Sequence, residues 1–149
     1  MAIRVELAIR NELSEVGRVA DELARLAADH SIAKEVLADL QVVADEVLSN
    51  IIKYGGSESK QHSITVTLSV LPDEVTMEFV DDGAAFDPRD AAPPPTGQGL
   101  RDRPVGGLGI QFVKALMDGI EYERNDGRNC LLLRKKCITT VTQDTESSG

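Results

Sequence analysis

Aromatic residues and cysteines are scarce in this sequence, and both shortages restrict what it can be. Phenylalanine, tyrosine and tryptophan together make up 3% of the 149 residues, so leucine, valine, isoleucine and alanine must build the core. Cys130 and Cys137 are the only cysteines, and neither belongs to a CxxC or Cys/His pattern. The sequence therefore argues against a disulfide framework and a zinc site. We interpret His30 and His62 as surface residues and not as ligands.

Long hydrophobic runs and clusters of positive charge are missing as well. No segment approaches the roughly 20 apolar residues that a membrane span requires, and residues 1–30 lack the apolar run of a signal peptide. We therefore expect a cytoplasmic protein that does not bind membranes. The formal net charge of −9, without a basic patch, argues against nucleic acid as a partner.

Hydrophobic periodicity predicts a strand and then two helices in the first third of the chain. Apolar and polar residues alternate over residues 2–10, as in a half-exposed strand. Helical spacing follows, in a segment that Asn11 is expected to cap. We expect Ser31 to cap a longer helix that runs to about Tyr54, where the glycines at 55–56 stop it.

The remaining elements complete an α+β pattern. Two alternating segments at 64–70 and 75–79 predict a strand pair, with a turn at Pro72. A hairpin is predicted around residues 125–127, whose sequence is Asn-Asp-Gly. We expect a two-layer sandwich: a mixed, mostly antiparallel sheet covered on one face by helices. The globular domain is expected to span residues 1–137, followed by a polar C-terminal tail at 138–149.

Between the strand pair and the hairpin, five of the six prolines fall within residues 88–104. Residues 88–106 are rich in proline and glycine and have no hydrophobic period, so we expect a long loop that acts as a lid. A short helix is predicted at 107–118. No GxGxxG follows a strand and no GxxxxGK[ST] is present, which excludes Rossmann and P-loop sites.

The predicted long helix carries a polar stripe beside its apolar face. With Glu46 at zero and 100° per residue, Asn50 lies at about 40° and Lys53 at about −20°. A carboxylate, an amide oxygen and an ammonium group one turn apart can serve as a base, a Mg²⁺ ligand and a phosphate contact. The same pattern also occurs on an ordinary solvated helix edge, and the helix alone does not decide between the two interpretations.

Two glycine-containing segments suggest that a ligand approaches the backbone. Asp81-Asp82-Gly83 follows a predicted strand, and an aspartate there can accept a hydrogen bond from an exocyclic amine. The same residues also form ordinary turns. Gly106-Gly107-Leu108-Gly109 precedes a helical pattern, where backbone amides suit phosphate, although a hinge without a ligand has the same composition.

Together these segments resemble the N, G1 and G2 boxes of the Bergerat-fold (GHKL) ATPases, which include gyrase B and histidine kinases. The resemblance rests on Glu46-x-x-x-Asn50, Asp81-x-Gly83 and Gly107-x-Gly109, and covers about residues 5–136. Within that group the chain is most similar to the small bacterial anti-sigma factors that are also serine kinases. This similarity includes the runs DDGAAFDP, RPVGGLGI and YERNDGRN.

The resemblance implies a role for each matched residue. Glu46 would be the general base, Asn50 the Mg²⁺ ligand, Lys53 a phosphate contact and Asp81 the acceptor for the adenine amine. The glycine segments would frame ATP, and they comprise Gly83 with Ala85, and Gly107, Leu108 and Gly109. Ala85 stands where many relatives have the second glycine of DxGxG.

The resemblance also implies partners. It predicts a sigma factor and a STAS-type anti-anti-sigma protein that is phosphorylated on serine, and it implies a homodimer. A nucleotide-sensing module without transferase activity is a second hypothesis, and it does not require a carboxylate at Glu46. A third hypothesis is a stand-alone histidine kinase catalytic domain, which needs a separate chain to carry the acceptor histidine.

Overall fold

The computed structural model describes residues 3–54, 63–83 and 113–137. The predicted lid at 88–106, the first half of the helix at 107–118, the glycines at 55–56, His62 and the C-terminal tail at 138–149 lie outside the described residues. The elements in chain order are β1 (Ile3–Ile9), a short 3₁₀ helix (Leu13–Glu15), α1 (Val16–His30), α2 (Lys34–Tyr54), β2 (Ile64–Val70), β3 (Glu74–Asp81), a helical turn at residues 113–116, β4 (Gly119–Asn125) and β5 (Arg128–Lys136).

The five strands form one sheet in the order β1-β2-β3-β5-β4, and each neighbouring pair is antiparallel. Alternate residues of the central strands face the helices, which is why Val66, Met77 and Phe79 are fully buried. The predicted sandwich is confirmed. No strand pair among the described residues is parallel, so the sheet is more regular than the mixed one that we expected.

Helices α1 and α2 pack against each other and against the same face of the sheet. The predicted apolar stripe of α2 is buried at Leu40, Val43 and Leu48, because helical spacing gathers these side chains on one side. Gln41 donates a hydrogen bond from Nε2 to the Ala20 carbonyl oxygen at 3.0 Å, which links the two helices. None of the helices in this described part of the chain is long and apolar enough to cross a membrane.

The beginning of α1 differs from the expectation that Asn11 caps it. A 3₁₀ turn intervenes, and no side chain caps either helix start. Instead, the Glu15 carboxylate accepts hydrogen bonds from the Arg10 backbone N–H at 2.9 Å and from Arg18 Nη1 at 2.8 Å. The pKa of Glu15 is lowered mainly by the Arg10 hydrogen bond and further by Arg18, while burial opposes both. Glu15 therefore fastens the end of β1 to α1.

Ser31 also has a different role from the predicted one. It ends α1 in the left-handed conformation, with φ at 59°, and α2 begins only at Lys34. A helix that ends in a left-handed residue is common, and a serine at this boundary is compatible with either a C-terminal or an N-terminal cap. Ser31 therefore ends α1, and the prediction that it caps the start of the second helix is wrong.

Both cysteines are free thiols in the described structure. Burial raises the pKa of Cys130, and the carboxylates of Glu78 and Glu123 raise it further. Burial and the nearby Asp73 also raise the pKa of Cys137. Both thiols are therefore held in their protonated, weakly nucleophilic form at neutral pH.

One end of the sheet brings several polar residues together. The pairing register sets Ile9 opposite Ile64, Ile64 opposite Asp81, and Asp81 opposite Asn129. Arg124 pairs with Asn129 at the same end. The carboxyl end of β3 and both strands of the β4–β5 hairpin are thus neighbours.

Candidate functional site

Helix α2 contributes a carboxylate and a buried amide on adjacent turns. Asn50 is 7% exposed, and its Nδ2 donates a hydrogen bond to Glu46 Oε2 at 3.1 Å. The other end of the amide, Oδ1, is buried and has no hydrogen-bond partner among the described residues. Because Nδ2 is held by Glu46, the amide oxygen is turned away from that carboxylate.

A buried oxygen without a donor is costly unless something else occupies the position. An amide oxygen is also the kind of ligand that Mg²⁺ accepts, together with water and phosphate oxygens. The chemistry of Asn50 therefore fits the predicted metal-binding role. Lys53, one turn further along, is exposed near the end of the helix.

The end of β3 holds Asp81 in a defined orientation. Asp81 is 5% exposed, and its Oδ1 accepts hydrogen bonds from the Gly83 backbone N–H at 2.9 Å and from Asn129 Nδ2 at 3.1 Å. The next residue, Asp82, is exposed, and its Oδ1 accepts a hydrogen bond from the Ser63 backbone N–H at 2.9 Å. The two consecutive acids thus differ in their contacts. The Asp81 side chain is buried, whereas Asp82 connects the turn to the residue before β2 through a hydrogen bond.

The β4–β5 hairpin supplies polar residues that were not predicted as site residues, although they lie in the run YERNDGRN. Asn129 is 6% exposed, and its Oδ1 accepts hydrogen bonds from the Tyr122 hydroxyl and from Arg124 Nη1, the latter at 3.2 Å. Arg124 Nη1 also donates to the Gly83 carbonyl oxygen at 2.7 Å. The hairpin and the Asp81–Gly83 turn are therefore joined by one hydrogen-bonded network.

The structure brings some of the predicted residues together, describes Lys53 without a hydrogen bond or ion pair to the others, and does not describe the rest. Glu46 and Asn50 share one turn of α2, and this helix packs on β3, which ends at Asp81. Ala85 and the segment Gly107, Leu108 and Gly109 lie outside the described residues. The helical turn at 113–116 follows that segment, and Lys135 Nζ donates to its last carbonyl oxygen, that of Leu116, at 2.6 Å.

The described residues form two chemically distinct groups. On α2, a carboxylate that can accept a proton lies beside an amide oxygen that can bind a cation. At the end of β3, a buried carboxylate held by two donors can accept a hydrogen bond from an amine. A ligand that contacted both would need an amine-bearing group for Asp81 and metal-bound anionic groups for Asn50.

Comparison with known proteins identifies the class. The model of the histidine kinase-like ATPase domain family matches residues 9–135, so the chain belongs to this family. Membership implies that the chain binds ATP, and the resemblance seen in the sequence is confirmed at the level of the family.

Relatives within the family include several named kinases. Serine/threonine-protein kinase BtrW of Bordetella bronchiseptica is 36% identical over 94 residues, covering 63% of this chain and 66% of that protein. Serine-protein kinase RsbW of Listeria innocua is 23% identical over 136 residues, covering 89% of this chain and 85% of that protein. The anti-sigma F factor of Caldanaerobacter subterraneus is 26% identical over 104 residues, covering 70% and 72% of the two chains.

A solved structure with the RsbU and RsbW domains of a Mycobacterium tuberculosis protein has the same fold. Its TM-score is 0.64 at 13% identity, covering 92% of this chain and 34% of the solved one. The chain thus spans about a third of that longer protein, and the likeness concerns the fold alone. The names of the relatives agree with the anti-sigma serine kinases that the sequence resembles.

Proposed function

We propose that this chain is an ATP-dependent protein serine kinase that binds a sigma factor and phosphorylates a STAS-type anti-anti-sigma protein. Relatives named serine-protein kinase and anti-sigma F factor, which align over most of this chain, support the proposal. The serine/threonine-protein kinase at 36% identity supports phosphoryl transfer in particular. Phosphorylation of the antagonist would release it and leave this chain able to hold its sigma factor.

The observation that carries the proposal is the Asn50 amide. Its oxygen is buried without a partner in the described structure, while its nitrogen binds Glu46. Most buried amides have both ends hydrogen-bonded. Asn11 Oδ1, outside this site, is the other buried side-chain oxygen without a partner in the described part of the chain, so it is the pairing with Glu46 that distinguishes Asn50. Here one end holds the candidate base, and the other is left for a cation.

In this proposal Asn50 would hold Mg²⁺, with Lys53 as a phosphate contact and Asp81 as the acceptor for the adenine amine. When bound, Mg²⁺ supplies positive charge that offsets the negative charge of the triphosphate. Gly83 and Ala85, with Gly107, Leu108 and Gly109, would border the nucleotide through their backbones.

Glu46 would act on the partner's serine. As the serine oxygen bonds to the γ-phosphorus, the bond from that phosphorus to the bridging oxygen of ADP breaks, and the serine proton passes to Glu46. Most of the acceleration in phosphoryl transfer comes from positioning and charge stabilisation, and proton removal adds to it. The hydrogen bond from Asn50 fixes the rotamer of Glu46 for this step.

The alternative is a nucleotide-sensing module that binds the same partners without transfer. It would use Asn50 and Asp81 in the same way, but it would not depend on a carboxylate at Glu46. Comparing nucleotide binding with phosphoryl transfer in the same variants therefore separates the two functions.

The test uses three substitutions in α2. Glu46→Gln keeps the shape and the hydrogen bonding but cannot take up a proton, so ATP should still bind while transfer falls by roughly 10²–10⁴-fold. Asn50→Ala removes a metal ligand and should lower both Mg²⁺-dependent ATP affinity and transfer. Asp45→Asn is the matched control, because Asp45 is an exposed acid on the same helix and should change neither.

Transfer is measured as labelled phosphate passing from ATP to a STAS-type protein captured with this chain, and binding is measured by calorimetry. Glu46→Gln transferring phosphate at the wild-type rate would remove Glu46 as the base. A wild-type chain that binds ATP and captures a STAS-type partner but phosphorylates none would favour the sensing module.

A further inference from the structure

We propose that the β4–β5 hairpin sets the preference for adenine, because Tyr122 and Arg124 hold Asn129 in the orientation that positions Asp81. These three are positioning residues that act through the carboxylate. The inference rests on the proposed function in one respect, which is that Asp81 accepts the base's amine. It adds residues outside the Glu46–Asn50, Asp81–Gly83 and Gly107–Gly109 segments.

The direction of the Asn129 amide follows from its neighbours. Its oxygen accepts from the Tyr122 hydroxyl and from Arg124 Nη1. The guanidinium group only donates, so it requires the amide oxygen and not the amide nitrogen on that side. The nitrogen therefore faces Asp81 and donates to Oδ1 at 3.1 Å. Reversing the amide would set an oxygen against the carboxylate and an N–H against the guanidinium.

Arg124 fastens the same turn from a second side. The nitrogen that contacts Asn129 also donates to the Gly83 carbonyl oxygen at 2.7 Å, while the Gly83 N–H donates to Asp81 Oδ1 at 2.9 Å. Both backbone groups of Gly83 are thus engaged, one by the hairpin and one by the carboxylate. Asp81 and Asn129 are buried, whereas Arg124 is exposed, so the network runs from the surface into the site.

The orientation of Asp81 matters because the purines differ where the carboxylate would meet them. Adenine presents an amine that donates, and guanine presents a carbonyl oxygen that a carboxylate repels. A site built around a hydrogen bond discriminates strongly only when its polar group is held in place. Loosening the carboxylate should lower the affinity for ATP and relax the rejection of GTP together.

The hairpin itself offers matched substitutions. Asn129→Ser shortens the side chain that reaches Asp81, and Arg124→Gln removes the shared donor from an exposed position. Their controls are Asn125→Ser and Arg128→Gln, two exposed residues on the same hairpin. The Asn125 amide donates to Glu123 and takes no part in the network.

The readouts are the calorimetric dissociation constants for Mg-ATP and Mg-GTP, and the KM and kcat for phosphoryl transfer. Both hairpin variants should lower the ATP-over-GTP preference by roughly 3–10-fold, the size expected for the loss of one supporting hydrogen bond. The KM for ATP should rise while kcat stays near wild type, because α2 is untouched. The two controls should keep the wild-type preference.

Each contrary outcome points to a different failure. A wild-type chain that binds ATP and GTP equally would exclude Asp81 as the amine acceptor and would overturn this inference with it. If Asp81→Asn abolishes the preference for ATP while Asn129→Ser and Arg124→Gln retain it, this inference is overturned and the role of Asp81 stands. If the variants lose affinity for ATP and GTP equally and also have a lowered free energy of unfolding, the network has only a structural role. That result would also overturn the inference. Since Arg124 is exposed, its variant provides the readout even if Asn129→Ser is poorly folded.

Discussion

Asn50 combines two properties that conflict in a protein without its ligand. It is buried, and its side-chain oxygen has no partner among the described residues. Leaving a buried acceptor unsatisfied costs about 1–3 kcal/mol, which binding sites tolerate because the ligand later supplies the missing partner. Asn50 is therefore a position where function is expected to oppose stability.

A leucine of similar size tests this conflict. We expect Asn50→Leu without nucleotide to keep or raise the free energy of unfolding, by up to about 1 kcal/mol, because the unsatisfied oxygen is removed. Saturating Mg-ATP should stabilise the wild type and leave the variant unchanged. Asn129→Leu is the contrast, since both ends of that amide are bonded and its loss should be destabilising. Urea denaturation with and without nucleotide measures both, and a marked loss of stability in Asn50→Leu would contradict the argument.

The residues that the sequence revealed are those whose meaning is local. Glu46 and Asn50 stand one turn apart, and Asp81 precedes Gly83 by two positions, so local spacing made them candidates and the resemblance gave them roles. Asn129 was missed because its partner Asp81 lies 48 residues away in the sequence. A signal was nevertheless available: a hairpin centred on residues 126–127 pairs Arg124 with Asn129, and it sets two polar residues at the end of a buried strand.

Among the elements, the strands, the hairpin turn and the end of α2 at Tyr54 were predicted well, and the helix starts were not. Alternation identifies a strand by its buried face, and the Asp-Gly pair identifies a turn that needs left-handed residues. Serine and asparagine near a helix end satisfy several local geometries, so Ser31 and Asn11 were assigned roles that the structure gives to other groups. At Asn11 the deciding interaction was Glu15 with Arg10, a contact that the apolar pattern does not reveal.

The hairpin turn carries a conformational demand that can be measured. Asp126 and Gly127 have φ of 52° and 76°, so both occupy the left-handed region. A methyl group at Gly127 would meet no atom within 4 Å, and Gly127→Ala should therefore be destabilising only through its backbone, by about 1 kcal/mol. Gly17→Ala in α1 is the control, for which the opposite sign is expected. Its added methyl group also meets no atom within 4 Å, and the higher helix propensity of alanine should raise the free energy of unfolding by about 0.5–1 kcal/mol.

Chemical denaturation of the two alanine variants measures this difference. Because the same hairpin carries Asn129 and Arg124, Gly127→Ala should also weaken the preference for ATP over GTP, while Gly17→Ala should leave it unchanged. Two alanine variants with the same shift in stability would show that the turn is not under the conformational constraint described here.

For the whole molecule, the order of elements and the two-layer arrangement followed from the sequence, because each depends on which faces are apolar. The strand order did not follow: β5 lies between β3 and β4, so the second strand of the hairpin is the inner one and β4 is the edge strand. Hydrophobic alternation is the same for an edge strand and its inner neighbour when one face is covered. The inner position of β5 is nevertheless what brings Asn129 beside Asp81.

Lys135 connects three elements that are distant in the sequence, and its removal tests how the layers are held together. Its Nζ donates to the Leu116 carbonyl oxygen at 2.6 Å and pairs with Asp39 Oδ2 of α2 at 3.1 Å, with side-chain exposures of 17% and 33%. Lys135→Met keeps the aliphatic stem, so the expected loss of about 1–2 kcal/mol in the free energy of unfolding reflects the polar contacts, reduced by partial exposure.

Lys136→Met is the matched control for this last prediction, because Lys136 is an exposed neighbour and only its backbone N–H binds Asp118, at 2.7 Å. The control should leave the urea midpoint unchanged, whereas Lys135→Met should lower the midpoint without changing the slope. The added stability from saturating Mg-ATP should be the same in both variants, since Lys135 lies outside the Asp81 and Asn50 contacts. A smaller ATP effect in Lys135→Met would instead show that the link between α2, β5 and the helical turn at 113–116 contributes to nucleotide binding.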